Sequence, residues 1–134
     1  MRQTRSDYQR RYLRGAGYWK QRERNWAKRG IVEADGEPLR AVVYIAVLEL
    51  QKHRCALSGV KEGYCRFAAD HDVETGLFRG ILSADANHHA LGTFERFGHY
   101  RNADIEDEIR EYLEFPPYQQ WLAKTGGLPR HVRC

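Results

Sequence analysis

The sequence has no apolar run approaching the roughly 20 residues that a membrane-spanning helix requires. That excludes a helical membrane protein. It has three cysteines, Cys55, Cys65 and Cys134, an odd number without repeating spacing. A disulfide framework is thereby excluded, a reducing compartment fits, and Cys134 is expected to be a free, exposed thiol. No apolar stretch of about 7–15 residues follows the arginine-rich N-terminus, so a secretory signal is not expected and the location is read as cytoplasmic. Internal repeats and long low-complexity tracts are also missing. What remains is 134 residues, 42% hydrophobic and 30% charged, enough for one soluble globular domain with a modest core.

Acidic residues are scarce at one end. Residues 1–30 hold ten lysines and arginines against only Asp7 and Glu23, whereas the whole chain carries +4. A basic arm on a mildly acidic body is a polyanion-binding layout, because each cation that meets a phosphate releases condensed counterions. Tyr8, Tyr12, Trp19 and Trp26 interleave with these cations and can pack on the body or stack on bases. Arg10, Arg11, Arg14, Lys20, Arg22, Arg24, Lys28 and Arg29 are the candidate nucleic-acid contacts. Residues 6–29 read as a helix, formed alone or on binding, with Gly15 and Gly17 as a weak point.

The pattern divides the chain into an arm (1–30), a central domain (31–117) and a tail (118–134). The fold class is α+β and mostly helical. Pro38 suits a first helical position. Leu39, Val42, Val43, Ala46, Val47 and Leu50 then form one apolar stripe, a core face or a dimer seam. Short segments around Cys55–Leu57, Cys65–Ala69 and Leu77–Leu82, separated by Ser58-Gly59, Glu62-Gly63 and Thr75-Gly76, read as strands joined by tight turns. A helix is expected from Ser83 or Ala84 to Phe97. Another is expected from Ala103 to Glu114, with Asp104, Glu106 and Asp107 favouring its N-terminus and Pro116-Pro117 ending it.

The chemistry concentrates in Asp70-His71-Asp72 and in Asn87. Neighbours on a strand point to opposite sides, so Asp70 and His71 can do different work. A carboxylate offers a hard oxygen suited to Mg²⁺, and Asn87 can supply a second from a following helix. A histidine near its ordinary pKa can take a proton from water at neutral pH. Arg79, beyond the Thr75-Gly76 turn, is placed to meet a phosphate. An Asp-His pair is also a common structural element, so these residues alone leave both readings open.

The surrounding string decides between them. ADHDVETGLFRGIL followed by ANHHALG resembles the recombination endonuclease VII family, phage Holliday-junction resolvases within the broader HNH, or ββα-metal, nucleases. Asp70, His71, Asp72, Thr75, Gly76, Arg79, Gly80, Leu82, Asn87, Leu91 and Gly92 carry the resemblance. The Tyr- and Arg-rich N-terminal segment, a helix ending in Gln51 and the Ile109–Pro117 ending extend it. The resemblance implies a ββα-metal core (His-Me finger) with a basic helical arm and C-terminal helices. It implies a metal-dependent DNA endonuclease, using Mg²⁺ or Mn²⁺ held by Asp70 and Asn87, with His71 as general base. It further implies a homodimer acting on branched DNA, through a helix such as Leu39–Leu50, and the host cytoplasm if phage-encoded. The alternative is a catalytically silent DNA-binding or host-interaction protein on a nuclease scaffold.

One part of the pattern is broken. The family's two Cys-x-x-Cys pairs for structural zinc read here Cys55-Ala56-Leu57-Ser58 and Ser83-Ala84-Asp85-Ala86. A tetrahedral zinc site needs four ligands, so no structural zinc is expected, with packing around Cys55 in its place. His88 and His89, beside Asn87, are candidates for additional metal ligation.

Overall fold

The computed structural model describes residues 15–100 and 102–130. Helix α1 (Gly15–Lys28) is followed by α2 (Ala41–Leu50), the hairpin strands β1 (Phe67–His71) and β2 (Phe78–Ser83), and a wide π-helical segment (Ala86–Leu91). That segment runs directly into α3 (Gly92–Phe97). Then come α4 (Ala103–Glu114) and α5 (Pro117–Thr125). Among the described residues the chain is mostly helical, as the sequence predicts, with a two-stranded antiparallel sheet in place of the three short strands read from the turn residues.

The core forms where α2, β2, α4 and α5 meet. Val43, Tyr44, Val47 and Leu48 of α2, Phe78, Ile81 and Leu82 of β2, Ile109 of α4 and Tyr118 of α5 are all buried there. Every residue of β2 is buried, as expected of a strand covered on both faces. Helix α1 joins through Trp26, whose ring stacks on Tyr44 with centroids 5.0 Å apart.

Several expectations need correction. Pro38 does not open α2. The helix starts at Ala41, and Glu23 of α1 accepts a hydrogen bond from the Ala41 N–H at 2.8 Å. One of the few acidic residues of the arm thus satisfies a free donor of the neighbouring helix. The stripe on α2 is also rotated from the expected one. Tyr44 and Leu48 are buried, whereas Val42 is 50% exposed and Ala46 and Leu50 are half-buried. The segment AVVYIAVLEL is apolar almost all round, so periodicity cannot select its inner face.

Cys55–Leu57 is a turn rather than a strand. The backbone of β2 is satisfied there by Gln51, whose side-chain oxygen accepts from the Ile81 N–H at 2.9 Å and whose amide donates to the Ile81 carbonyl at 2.8 Å. Gln51 thus serves both backbone groups of Ile81, whose carbonyl also accepts from the Ala56 N–H at 3.2 Å.

The tail holds a helix that the sequence reading lacked. Pro116-Pro117 ends α4 but also begins α5, with Pro117 in its first turn. Tyr118 and Trp121 of α5 are buried, and the Tyr118 hydroxyl accepts from the Ala34 N–H at 2.8 Å. Beyond α5, Arg40 donates to the carbonyls of Leu128 and Pro129, and Arg130 pairs with Asp35. Among the described residues no helix is long and apolar enough to cross a membrane.

Candidate functional site

The hairpin turn is built by Asp72. Its Oδ1 accepts from the N–H groups of Glu74 and Thr75 at 2.8 and 3.0 Å, which closes an Asx-type turn. Those bonds hold the Asp72 carboxyl below its usual range. Gly76 follows with φ of 78°, and a Cβ there would collide with the Gly30 carbonyl. The Val32 N–H donates to the Gly76 carbonyl, and the Phe78 N–H donates to that of Val32. The turn is thus fastened to the connector that follows the basic helix. Asp72, Thr75 and Gly76 shape the loop, while Asp70 and His71 stand at the end of the strand before it.

A β-bulge aims the next residues. Asp70 pairs with Gly80 but His71 pairs with Phe78, so Arg79 is the extra residue. Bulges re-aim side chains, and this one sets the guanidinium on Asp70. Arg79 Nε donates to Asp70 Oδ2 at 2.8 Å and Nη2 donates to Oδ1 at 3.1 Å. The Tyr112 hydroxyl of α4 donates to Oδ2 at 2.7 Å. Glu95 of α3 takes the far side of Arg79, at 3.2 and 3.4 Å. Asp70 is 4% exposed, Arg79 7% and Tyr112 6%, so all three work where water screens little.

The electrostatics follow from this closure. Burial opposes the charge on Arg79, yet its bonds to Asp70 and Glu95 raise its pKa further. Burial and the Asp70 charge push the Tyr112 hydroxyl well above the usual range, so it remains a donor. The phosphate contact expected of Arg79 is not what its position serves, because its guanidinium is buried and engaged by two carboxylates. Tyr112 stood out only within the Ile109–Pro117 ending and on the buried face of its helix, and Glu95 carried no signal in the sequence. They lie 42 and 16 residues from the groups they bind, and no short-range spacing rule connects them.

His71 is half-buried, and its Nδ1 is buried without a hydrogen-bond partner among the described residues. Asn87, in the π-helical segment, lines an open groove of about 830 Å³ together with His88. Other walls come from Gln21 and Asn25 of α1, from Arg29 just after it and from Arg66 before β1. Phe67, Ala68 and Ala69 of β1 also line it, whereas Asp70 and His71 do not. Arg66 was not among the expected cations, since it stands alone outside the arm. His89 is exposed and lies 3.5 Å from Asp85. Among the described residues no group of three or more His, Cys, Asp or Glu gathers as a metal site, and the His89–Asp85 pair gains no third member of those types.

The basic arm is divided in its roles. Arg10, Arg11 and Arg14 lie outside the described residues. Lys20, Arg24 and Lys28 are exposed on α1, and Arg29 is exposed in the turn that follows it. Arg22 is different. Its guanidinium sits 4.6 Å from the Tyr44 ring centroid and 5.2 Å from that of Trp26, and it donates to the Tyr44 hydroxyl. It is a cation–π clasp that fastens α1 to α2 rather than an outward-facing phosphate contact.

The corner where zinc cysteines would stand is assembled by weaker bonds. Cys55 Sγ accepts from the Ser58 N–H at 3.4 Å and from the Ser83 N–H at 3.2 Å. The Ser83 hydroxyl accepts from the Ala86 N–H at 3.2 Å. Burial would raise the Cys55 pKa, but the Ser58 hydroxyl and the N–H groups of Ser58, Ser83 and Leu57 together outweigh it and lower it. All four positions are therefore linked through one thiol and one hydroxyl.

No curated protein and no solved structure matches this chain. The sequence model of recombination endonuclease VII matches residues 36–115, which contain both strands of the hairpin, Asn87, Glu95 and Tyr112. That match covers more than half of the chain, and the protein belongs to the recombination endonuclease VII family, nucleases that act on branched DNA.

Proposed function

We propose that this protein is a divalent-metal-dependent endonuclease of the HNH type that hydrolyses phosphodiester bonds in branched DNA. His71 is the general base, and Asp70 and Asn87 are the cation ligands. The observation that carries this reading is the buried, unpartnered Nδ1 of His71, next in the chain to a carboxylate whose orientation is fixed. An unsatisfied buried polar nitrogen costs about 1–3 kcal/mol, and such costs persist where function uses the group.

The donor types suit a hard cation, although Asp70 is buried against Arg79 and only Asn87 of the two lines the groove. A carboxylate has about four acceptor positions, and Asp70 uses three. The Asn87 carboxamide has no hydrogen-bond partner among the described residues and faces the groove. When bound, Mg²⁺ or Mn²⁺ would polarise the scissile phosphate and stabilise charge on the departing 3′ oxygen. His71 accepts a proton from the attacking water as its oxygen bonds to phosphorus. The bond from phosphorus to the 3′ oxygen breaks, leaving a 5′ phosphate and, once that oxygen takes a proton from solvent, a 3′ hydroxyl. Arg29, Arg66 and the exposed cations of α1 hold the DNA backbone along the groove. A homodimer would present two such sites to opposed strands.

One observation favours a second reading. Asp70 is buried against Arg79, as in a purely structural ion pair, which suits a protein that binds DNA without cutting it. Incubation with cruciform and linear duplex DNA in Mg²⁺ separates the two. The nuclease reading expects cutting of the cruciform that EDTA stops. Mobility shifts without any cutting would support the silent binding module.

A further inference from the structure

The face of α1 that lines the open groove has a mixed chemistry. Tyr18, Gln21 and Asn25 fall at i, i+3 and i+7, and Arg29 continues the row just beyond the helix. One wall thus carries an aromatic ring, two amides and a cation. Ala68 and Ala69 of β1 and Ala84 add small apolar side chains to the lining. Three arginines, Arg22, Arg29 and Arg66, line the groove against one acid, Glu62. We propose that this groove binds one unpaired DNA strand, with Tyr18 stacking on a base, Asn25 meeting a base edge, and Arg29 and Arg66 meeting phosphates. The inference rests on the reading of the groove as the side that faces DNA, and it narrows the substrate to a branch with unpaired bases.

The lining selects a strand over a duplex. A duplex keeps its bases inside and would offer the groove phosphates alone, leaving the tyrosine, the amides and the alanines without a counterpart. An unpaired strand offers ring faces, base edges and phosphates together, the mixture that a cationic groove with aromatic platforms recognises. The groove's volume of about 830 Å³ is that of a site for small organic groups, which suits a few bases rather than a double helix. The amides are also ordered. Arg24 donates to Gln21 Oε1 at 2.8 Å, and Gln21 Nε2 donates to Asn25 Oδ1 at 3.1 Å. This relay fixes the Asn25 amide and leaves its Nδ2 donors to a ligand. The α1 wall lies outside residues 36–115, the span that matches recombination endonuclease VII.

A thiol in the lining provides the test. Cys65 is exposed and lines the groove, whereas Cys55 is buried. The full chain carrying Cys134→Ser is treated with N-ethylmaleimide in EDTA, so that no metal-dependent cutting consumes the DNA. Modification of Cys65 is followed by mass spectrometry with saturating oligothymidylate or with a blunt duplex of equal length. The strand is expected to suppress modification, and the duplex to leave it at the rate of the free protein. Anisotropy of labelled oligothymidylate then compares variants. Tyr18→Ala should weaken binding about 5–100-fold, the loss of one base–aromatic stack. Arg66→Gln should lower the slope of log affinity against log salt by about 0.7, one phosphate contact on a single strand. If Tyr18→Ala does not fold, Arg66→Gln and Cys65 protection decide, because Arg66 is exposed. Unprotected Cys65 in the strand complex, equal protection by the duplex, or variants that bind as the wild type does overturn the inference alone. A wild type that binds no DNA of any form overturns it together with the DNA reading.

Discussion

Strand β2 runs between two polar corners that are held in different ways. At its start, Arg79 and Gly80 belong to a dense ionic cluster in which Asp70 receives three charged or buried donors. At its end, Ser83 meets Cys55 through a single N–H···S bond, and its hydroxyl caps Ala86. The family resemblance implies metal at both corners, catalytic at one and structural at the other. The structural corner keeps its shape with one thiol, because its task is to hold backbones together and hydrogen bonds can share that task. The Asp70 corner keeps its full set of acids, bases and donors. Chemistry at a phosphate needs particular groups, whereas scaffolding needs only enough binding energy.

Removing a member of each corner should show this difference. Arg79→Ala leaves Asp70 buried with only the Tyr112 donor, and loss of one partner from a buried pair costs about 3–5 kcal/mol. Chemical denaturation should report a loss in that range, and a change under about 1 kcal/mol would contradict the network described here. Cys55→Ala removes the acceptor for two N–H groups, one of them on buried Ser83. Its expected cost is smaller, about 1–3 kcal/mol, read in the same denaturation experiment. Equal costs for the two variants would erase the contrast between the corners.

Acid should act weakly and in one direction. Backbone N–H bonds lower the Asp72 pKa, and Arg130 lowers that of Asp35. Both folded values lie below the unfolded value of about 3.9, so their contribution is present above that pH and fades as pH falls through the lowered values. Both groups are largely solvated, so the effect on a melting curve between pH 5 and pH 3 should be slight. EDTA is expected to leave the melting temperature unchanged in this series, since a tetrahedral zinc site needs four ligands and only Cys55 of the four family cysteines is present. A drop on chelation would show that a metal supports the fold after all.

Much of this architecture was legible in the sequence. Helix α4 begins and ends where its acidic first turn and Pro116-Pro117 place it, with Asn102 accepting the N–H bonds of Asp104 and Ile105 as the cap. Strand β2 and the Asp72 turn follow their turn residues. Helix α5 was hidden because a proline pair both stops one helix and starts the next. The inner face of α2 was hidden because nearly every residue on it is apolar. Around the site, Asp70, His71 and Asn87 stood out by type and order. Tyr112 and Glu95 could not be assigned to it, because only the folded chain brings them to Asp70 and Arg79. Arg22 and Arg79 read as phosphate contacts because sequence shows a charge but not its burial.

The central claim is that an imidazole with a free nitrogen beside a fixed carboxylate carries out hydrolysis. Single-turnover cleavage of a four-way DNA junction in Mg²⁺, at saturating protein, compares the wild type with His71→Ala most directly. Loss of a general base should slow cutting by about 10²–10⁴-fold, while junction binding in a mobility shift stays at the wild-type level. A variant that cuts as fast as the wild type would contradict the account.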